Sequence, residues 1–237
     1  MISIWILGFI VGAGHAFEPD HMAAVSALIS DKTSRRDIVR HGMIWGIGHT
    51  LVLLLVGGLA LLMKTTMSEQ FAVGLEVMVG VMLVGLGAHV IYRLRRYRVH
   101  LHRHSHQDGV EHIHIHSHQH DTTPHTPAKH KHEHPDRSAW RTLMVGIMHG
   151  MAGSAAIILT TAATLNSTPL GLFYIATFGA GSILGMAAIS LMMSLVLIPV
   201  RALTRLNNGL HYFIGTATMS VGLYVIVTSG TLLEAMI

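Results

Sequence analysis

The stretch I-W-I-L-G-F-I-V-G-A-G-H-A-F-E-P-D-H, Ile4 to His21, joins a long apolar run to two histidines, two carboxylates and a proline. The apolar part is typical of a membrane span, because a bilayer core about 30 Å thick requires about 20 apolar residues in a helix. Charged side chains inside a span are costly and mark functional sites. We therefore expect the polar cluster from His15 to His21 to carry function, and Pro19 to interrupt its helix.

The composition of the whole chain indicates a membrane protein. Of 237 residues, 51% are hydrophobic and 12% are charged, whereas a soluble domain carries about 25% charged residues. The chain has no cysteine, which excludes thiolate metal ligands. The long apolar blocks predict an all-α polytopic membrane protein with six transmembrane helices, at about 2–29, 41–63, 70–94, 140–165, 170–199 and 206–230.

Lysine and arginine are distributed unevenly between the predicted loops. Fifteen of the sixteen lie in the loops between spans 1 and 2, 3 and 4, and 5 and 6, and the opposite side has only Lys64. The positive-inside rule then puts those three loops in the cytoplasm and both termini outside. We expect a multi-pass protein of the cell (inner) membrane. Because the basic residues mark topology, we expect no nucleic-acid partner.

Three pairs of short segments repeat along the chain at nearly one offset. V-G-A-G-H ending at His15 matches V-G-I-M-H ending at His149, an offset of 134 residues. G-I-G-H-T around His49 matches G-A-G-S-I around Ser182 at 133, and the segments that begin at Gly74 and Gly209 match at 135. Each repeat holds three spans, an odd number, so the two halves have opposite orientation. The sequence therefore predicts two inverted three-helix repeats, an architecture of secondary transporters. Their expected bounds are 1–96 and 139–237.

Residues 97–138 form an insert between the repeats and contain thirteen of the twenty histidines. The insert has few large apolar residues and three prolines, so it cannot bury a core, and we expect a cytoplasmic loop that is disordered without metal. Histidine at this density predicts metal binding. The spacing is irregular and predicts no single site.

Three histidines outside the insert, His15, His49 and His149, fall near the middle of their predicted spans. Asp20 and His21 follow within two helical turns. Imidazole and carboxylate are ligands of borderline divalent ions such as nickel, cobalt and zinc. We therefore predict one midplane metal site from these residues, with Glu18 as a further candidate ligand. His149 lines the path or only packs against the site, because the residues that follow it carry no carboxylate.

Helix geometry leaves two ways to build that site. On a straight helix, positions 15, 20 and 21 point about 120° or more apart at 100° per residue. A break at Pro19 would turn Asp20 and His21 towards His15. Alternatively, His21 orients Asp20 without binding the ion itself. The sequence leaves both open.

These motifs resemble the nickel/cobalt transporter family, including its urease-associated branch. The segment His15–His21 is similar to the family signature H-x4-D-H, with Glu18 in place of the usual Asp and Pro19 in place of Ala. G-I-G-H-T, residues 46–50, resembles the family's G-H-S/T motif, and H-G-M-A-G-S, residues 149–154, resembles a motif of the urease-associated branch. The resemblance covers all six spans but not the insert.

The resemblance implies transport of Ni²⁺ or Co²⁺, with His15, Asp20, His21 and His49 along the metal path. The metal ion would be the transported substrate, and we expect no tightly bound cofactor. The expected partners are the divalent ion and the lipid bilayer. Without a G-x-x-x-x-G-K-[ST] motif in the chain, no nucleotide is bound by a P-loop, and no ATPase subunit is evident.

Several functions fit the sequence. We expect a secondary transporter for divalent transition-metal ions. The membrane potential favours cation entry, and the resemblance to the uptake-type signature gives a slight preference for uptake. An efflux carrier that captures ions with its cytoplasmic His-rich loop is the main alternative. A membrane-embedded metal-dependent enzyme, or a metal sensor or storage protein, is the alternative of another class. We expect no enzymatic activity, because no H-E-x-x-H motif is present.

Overall fold

The computed structural model describes residues 2–63, 68–97, 100–105, 111–116, 137–151, 161, 164–165 and 167–236. Within them the chain forms seven helices and two short strands. In chain order these are α1 (Ile2–His15), α2 (Pro19–Ile29), α3 (Arg35–Met63), α4 (Glu69–Tyr97), β1 (His100–Ser105), β2 (Glu111–His116), α5 (Arg137–Gly150), α6 (Thr168–Val200) and α7 (Thr204–Ala235).

Four of these helices, α3, α4, α6 and α7, are long and apolar enough to cross a membrane. Their outer faces are apolar as well. On α3, for example, Leu51, Leu55 and Leu62 share one side and are 58%, 69% and 67% exposed. A soluble protein rarely exposes apolar area on this scale. Together these features describe a multi-pass membrane protein.

The first predicted span is broken, as the proline indicated. Helix α1 ends at His15 and α2 begins at Pro19. The backbone N–H of Phe17 donates to the carbonyl of Gly14 at 2.9 Å, and that of Glu18 donates to the carbonyl of His15 at 3.1 Å. Proline suits the first position of a helix, where its missing N–H costs no hydrogen bond. The break therefore leaves two half-helices that meet in the interior of the protein.

The fourth predicted span, 140–165, is only partly described. Helix α5 covers its first part and ends at Gly150, and residues 152–160 lie outside the described residues. Within the described residues four helices are long enough to cross a membrane, and the six predicted spans stay a prediction. What the structure does give is a second half-length helix that ends beside a histidine, like α1.

Close contacts between small residues and backbone hold the helices together. Helix α1 packs on α6, α5 packs on α3, and α3 and α6 pack on each other. At the α1–α6 contact, a Cβ added to Gly12 would collide with the carbonyl of Phe178. At the α3–α5 contact, a Cβ on Gly146 would collide with the carbonyl of Trp45. Small residues of this kind let membrane helices approach closely.

These two contacts are counterparts at the offset of the sequence repeat. Gly146 follows Gly12 by 134 residues, and Phe178 follows Trp45 by 133. Helices α4 and α7 form a third such contact across their own interface. There a Cβ on Gly80 would collide with the carbonyl of Gly222. A Cβ on its counterpart Gly215 would lie only 3.0 Å from the carbonyl oxygen of Gly87.

The far end of α2 is held by side chains from three other segments. The carbonyl of Ser30 accepts from Arg201 at 3.1 Å and from the ring of His211 at 3.0 Å. Arg93 donates to the carboxylate of Asp31. Burial acts to raise the pKa of Asp31, but the positive charges of Arg93 and Lys32 outweigh it and hold the pKa below its ordinary value. Positive groups at a helix C-terminus also interact favourably with its dipole.

The predicted insert is described only in part. Strands β1 and β2 pair in antiparallel fashion within it, whereas its composition predicts a disordered loop. The remaining insert residues, apart from Tyr97 at the end of α4 and the start of α5, lie outside the described residues.

The glycine contacts predict which substitutions weaken the helix packing. We expect Gly12→Ala and Gly146→Ala each to cost about 1–3 kcal/mol, because the added methyl group meets backbone that cannot move aside. In detergent each change should lower Tm by roughly 2–4 °C per kcal/mol. Gly85→Ala is the matched control, because a Cβ there meets nothing within 4 Å from other parts of the protein. A loss of Tm as large in Gly85→Ala would contradict this account.

Candidate metal site

Four helical segments bring histidines to one point in the protein interior. His15 is the last residue of α1, His21 lies in the first turn of α2, His49 lies in α3, and His149 lies at the end of α5. Their exposed fractions are 6%, 1%, 0% and 1%. The broken first span makes this possible, because it places His15 and His21 on separate helices. Of the two arrangements compatible with the sequence, the break at Pro19 is the one observed.

Three of these histidines form a compact group. One potential ligand nitrogen from each of His15, His21 and His49 lies within 4.8 Å of the others. The ring centroids of His15 and His21 are 4.2 Å apart, and each lies 5.2 Å from that of His49. We call His15, His21 and His49 the three-histidine group.

The two carboxylates beside the break fix the imidazole rings. Glu18 Oε1 lies 2.8 Å from His15 Nδ1, and Asp20 Oδ1 lies 3.0 Å from His21 Nδ1. A carboxylate accepts hydrogen bonds, so these contacts assign the proton of each neutral ring to Nδ1. The Nε2 atoms of His15 and His21 then carry a free lone pair, and in the described part of the chain both are buried without a hydrogen-bond partner.

His49 has no such support. Both of its ring nitrogens are buried and lack a hydrogen-bond partner among the described residues. An unpaired buried polar group costs about 1–3 kcal/mol. A histidine is a poor choice for such a position if packing alone is required, since an apolar side chain would fill it without that cost. The chemistry of this donor set fits a bound cation.

Asp20 links His21 to the fourth histidine. Its Oδ1 also accepts from the backbone N–H of His21 at 2.9 Å, and its Oδ2 lies 3.0 Å from His149 Nε2. Ligand atoms of Asp20, His21 and His149 lie within 4.8 Å of one another and form a second group suited to a metal ion. His21 belongs to both groups, so the two candidate positions are adjacent.

Two aromatic rings flank the histidines from opposite repeats. The ring centroid of Phe178 lies 5.3 Å from that of His15, and the ring centroid of Trp45 lies 5.4 Å from that of His149. These two contacts are again counterparts at the repeat offset. Sequence reasoning missed both aromatic residues. The sequence does contain a pattern that could have identified them: Trp45 precedes His49 by one helical turn, and Phe178 precedes Ser182, the counterpart of His49, by the same interval.

All six residues singled out from the sequence, His15, Glu18, Asp20, His21, His49 and His149, therefore lie together. The other histidines outside the insert, and Glu76, have partners elsewhere. His41 contacts Thr142 at 2.7 Å, His89 contacts Arg141 at 3.3 Å, and Ser229 donates to Glu76 at 2.8 Å.

Comparison with known proteins agrees with a membrane protein of this kind. The family model described as "Cytochrome C biogenesis protein transmembrane region" matches residues 20–224. The urease accessory protein UreH of Bacillus sp. (strain TB-90) is 34% identical over 237 residues, which cover 97% of this chain and 93% of that protein. No solved structure matches the chain. The chain therefore belongs to the family of the urease accessory protein UreH and to the membrane family described as the cytochrome C biogenesis protein transmembrane region.

Proposed function

We propose that this protein is a secondary transporter that carries Ni²⁺ across the membrane, with Co²⁺ as a second substrate, and that the three-histidine group binds the ion. The observation that carries the proposal is the convergence of three buried imidazoles from three helices, two of them oriented by carboxylates. Imidazole is the protein ligand that suits these ions. The name of the UreH relative supports a urease-associated role, and the motif resemblance supports nickel or cobalt as the ion.

The chemistry of the site favours a divalent cation. His15 and His21 each direct Nδ1 to a carboxylate, the arrangement that orients metal-binding imidazoles and raises their basicity. Helices α1 and α5 both end at the site, at His15 and Gly150. The negative dipole end of a helix C-terminus attracts cations. The carboxylates of Glu18 and Asp20 add the charge that balances a divalent ion.

Asp20, His21 and His149 are the proposed neighbouring position on the path. Since His21 belongs to both groups, it can stay bound to an ion that moves between them. The ion then exchanges His15 and His49 for Asp20 and His149. His149 is the counterpart of His15 at the repeat offset. On this proposal the two repeats contribute to one path, and the more strongly binding position lies in the first repeat.

We propose two inverted three-helix repeats as the architecture of this transporter. The paired glycine contacts support it, because each contact of one half recurs in the other with the partners exchanged. Phe178 against His15 and Trp45 against His149 then close the site from opposite sides of the membrane. Alternating access would follow from moving one aromatic ring away while the other stays in place.

Uptake is the proposed direction, with the insert and the basic loops in the cytoplasm and both termini outside. The membrane potential adds about 2.3 kcal/mol per charge per 100 mV in favour of cation entry. An efflux carrier is the competing direction. A membrane-embedded enzyme has less support, because both carboxylates at the site are engaged by histidines and are poorly placed as a general base.

Fluorescence of Trp45 offers a direct test of ion binding. In a Trp5→Phe/Trp140→Phe variant Trp45 is the remaining tryptophan, and it lies 5.3 Å from the ring of His21. We expect added Ni²⁺ to quench its emission. Asp20→Asn should weaken the fitted Kd about 10–100-fold, the usual effect of removing the partner of a metal-binding imidazole, and His15→Ala should weaken it further.

The His15→Ala and Asp20→Asn variants also test whether the site is needed for transport. Cells that express His15→Ala or Asp20→Asn should accumulate no more nickel than cells without the protein, whereas the control His89→Ala should behave as wild type. Lower nickel content in wild-type cells than in empty cells would reverse the proposed direction. Wild-type affinity in both the His15 and Asp20 variants would refute the site.

A second prediction separates stability from binding. Without metal, we expect His49→Leu to be as stable as wild type or more stable, by up to about 1–3 kcal/mol, because it removes unpaired buried nitrogens. Ni²⁺ should raise the Tm of wild type but not of His49→Leu. The matched control His41→Leu loses a hydrogen bond to Thr142 and should lower Tm without metal. A marked loss of Tm in metal-free His49→Leu would argue for a packing role.

Topology is testable because the chain has no native cysteine. We expect Arg36→Cys, in the first turn of α3, to react with a membrane-impermeant maleimide only in opened cells. Glu69→Cys, at the start of α4, should react in intact cells. Both positions are exposed. Labelling of Arg36→Cys in intact cells would overturn the proposed orientation.

A further inference from the structure

The imidazole ring of His211 on α7 faces two backbone carbonyls. Its Nδ1 lies 2.8 Å from the carbonyl oxygen of Asn207, one turn earlier in the same helix, and its Nε2 lies 3.0 Å from the carbonyl oxygen of Ser30 at the end of α2. A carbonyl oxygen only accepts hydrogen bonds, whereas a neutral imidazole has one N–H and one unprotonated nitrogen. Both contacts are therefore hydrogen bonds only when the ring carries two protons and a positive charge.

Each neutral form of His211 breaks one of these contacts. Without the Nδ1 proton, a lone pair faces the carbonyl oxygen of Asn207, and without the Nε2 proton the hydrogen bond to Ser30 is lost. The position of the ring in the structure is thus less favourable for the neutral form. His89 on α4 has the opposite surroundings, because Arg141 donates to its Nε2 at 3.3 Å, and that contact requires an unprotonated nitrogen.

The end of α2 favours a positive charge at this position. Ser30 caps the C-terminus of α2, where the helix dipole attracts cations. Its carbonyl oxygen also accepts from Arg201, so the two lone pairs of this oxygen serve two donors. The carboxylate of Asp31, the next residue, adds negative charge at the same end of the helix.

The ionisable side chains on the segments around His211 are mostly basic. They are Asp31 and Lys32 after α2, His89, Tyr92, Arg93, Arg95 and Arg96 on α4, and Arg201, Arg205 and Tyr212 near His211 in the chain, while α6 carries no Asp, Glu, Lys, Arg or His. Arginine, lysine and tyrosine keep one charge state between about pH 6 and 8, and Asp31 stays charged beside Arg93. The basic neighbours oppose protonation of His211, whereas its two acceptors and the dipole of α2 favour it.

We propose that His211 is a proton-binding residue that holds the C-terminal end of α2 in place, an arrangement that we call the proton lock. The protonated ring joins α7 to α2. Release of its proton to water removes a hydrogen bond and lets this end of α2 move away from α7. The proton lock is separate from the metal site and does not rest on the proposed transport function.

Helix α2 connects the proton lock to the three-histidine group. It holds Asp20 and His21 in its first turn and Ser30 at its other end, about 15 Å away at 1.5 Å per residue. Asp20 contacts His149 on α5, so different helices hold the two ends of α2. Protonation of His211 therefore favours the position of α2 in which the three-histidine group is assembled. This link to ion transport, unlike the lock itself, rests on the proposed function.

Imidazole ¹⁵N NMR of the full-length, histidine-labelled protein without metal tests the charge of His211. The chemical shifts of the two ring nitrogens distinguish the protonated ring from both neutral forms, and the signals that disappear in His211→Gln identify this residue. We expect a protonated ring at about pH 6 and a neutral ring at about pH 8, on either side of the range in which imidazole titrates. A neutral His211 at about pH 6 would overturn the proposal.

A cysteine at position 30 reports whether the end of α2 is held. Ser30 is 4% exposed and the chain has no native cysteine, so Ser30→Cys provides one buried thiol and keeps the backbone carbonyl. Its rate of labelling by a maleimide is divided by that of the exposed Arg36→Cys at the same pH, which removes the effect of pH on the thiol itself. One released proton changes the opening equilibrium by at most about tenfold per pH unit. We expect the relative rate to rise at least about tenfold between about pH 6 and about pH 8.

Two substitutions in the Ser30→Cys protein show whether His211 causes that rise. His211→Gln places a neutral side chain there and should label quickly at both pH values. The matched control His89→Gln removes a histidine that faces a donor and should keep the full pH dependence. The proton lock is refuted if the relative rate does not change with pH, or if the same rise persists in His211→Gln.

Nickel flux into liposomes, with the same pH on both sides, tests the link to transport. Transport requires α2 to move, so we expect the rise in flux from about pH 6 to about pH 8 to be smaller in His211→Gln than in wild type and unchanged in His89→Gln. An identical rise in wild type and His211→Gln would refute the link. If wild type carries no nickel while the labelling results hold, the proposed function fails and the proton lock stands.

Discussion

The missing backbone N–H of Pro19 is the constraint on which the site depends. A membrane span normally satisfies its backbone within one helix, because hydrocarbon offers no other partners. Pro19 starts a new helix instead, and the chain between His15 and Pro19 closes with two backbone hydrogen bonds. The break puts a helix C-terminus and a helix N-terminus side by side in the protein interior. The C-terminus suits a cation, and the N-terminus suits the carboxylates of Glu18 and Asp20. Pro19 thus creates both the helix C-terminus that favours a cation and the helix N-terminus that favours the carboxylates.

Asp20 converts that local break into a link between the two halves of the chain. It binds His21 in its own helix and His149 in α5, so the position of α5 relative to α2 is set by the same carboxylate that orients a candidate ligand. Helix α5 in turn packs on α3 through Gly146 and Gly150, whose added Cβ atoms would collide with the carbonyls of Trp45 and His49. A shift of α5 would therefore move His149 and, at the same time, disturb the backbone at His49. Packing and the donor set of the site are coupled through these few contacts.

The residues predicted from the sequence as metal ligands lie close together in the structure, and their role in metal binding stays a prediction. Histidines and carboxylates are rare in transmembrane helices. Their residue type and their predicted depth were therefore sufficient to select His15, Asp20, His21 and His49 as candidates. The offset matches paired His15 with His149, and the glycine contacts follow the same offset. What the sequence could not give is the sharing of His21 by two groups, since that depends on the angle between α1 and α2 after the break. The aromatic rings of Trp45 and Phe178 were missed because aromatic residues in a span are usually only packing.

Charge balance ties the proposed function to the movement that it requires. Glu18 and Asp20 keep part of their surface exposed, 48% and 26% of the side chain, whereas the imidazoles they contact are almost fully buried. Two carboxylates and one divalent ion sum to zero, so a loaded site presents no net charge to the surrounding hydrocarbon. An empty site with both carboxylates charged presents two negative charges, whose burial is costly. On the proposed mechanism, closing an aromatic ring such as Phe178 over the site is therefore easier once the ion is bound than before. The ion therefore binds the closed state more tightly than the open one. Because a ligand shifts a conformational equilibrium by its differential affinity for the two states, binding of the transported ion itself favours closure.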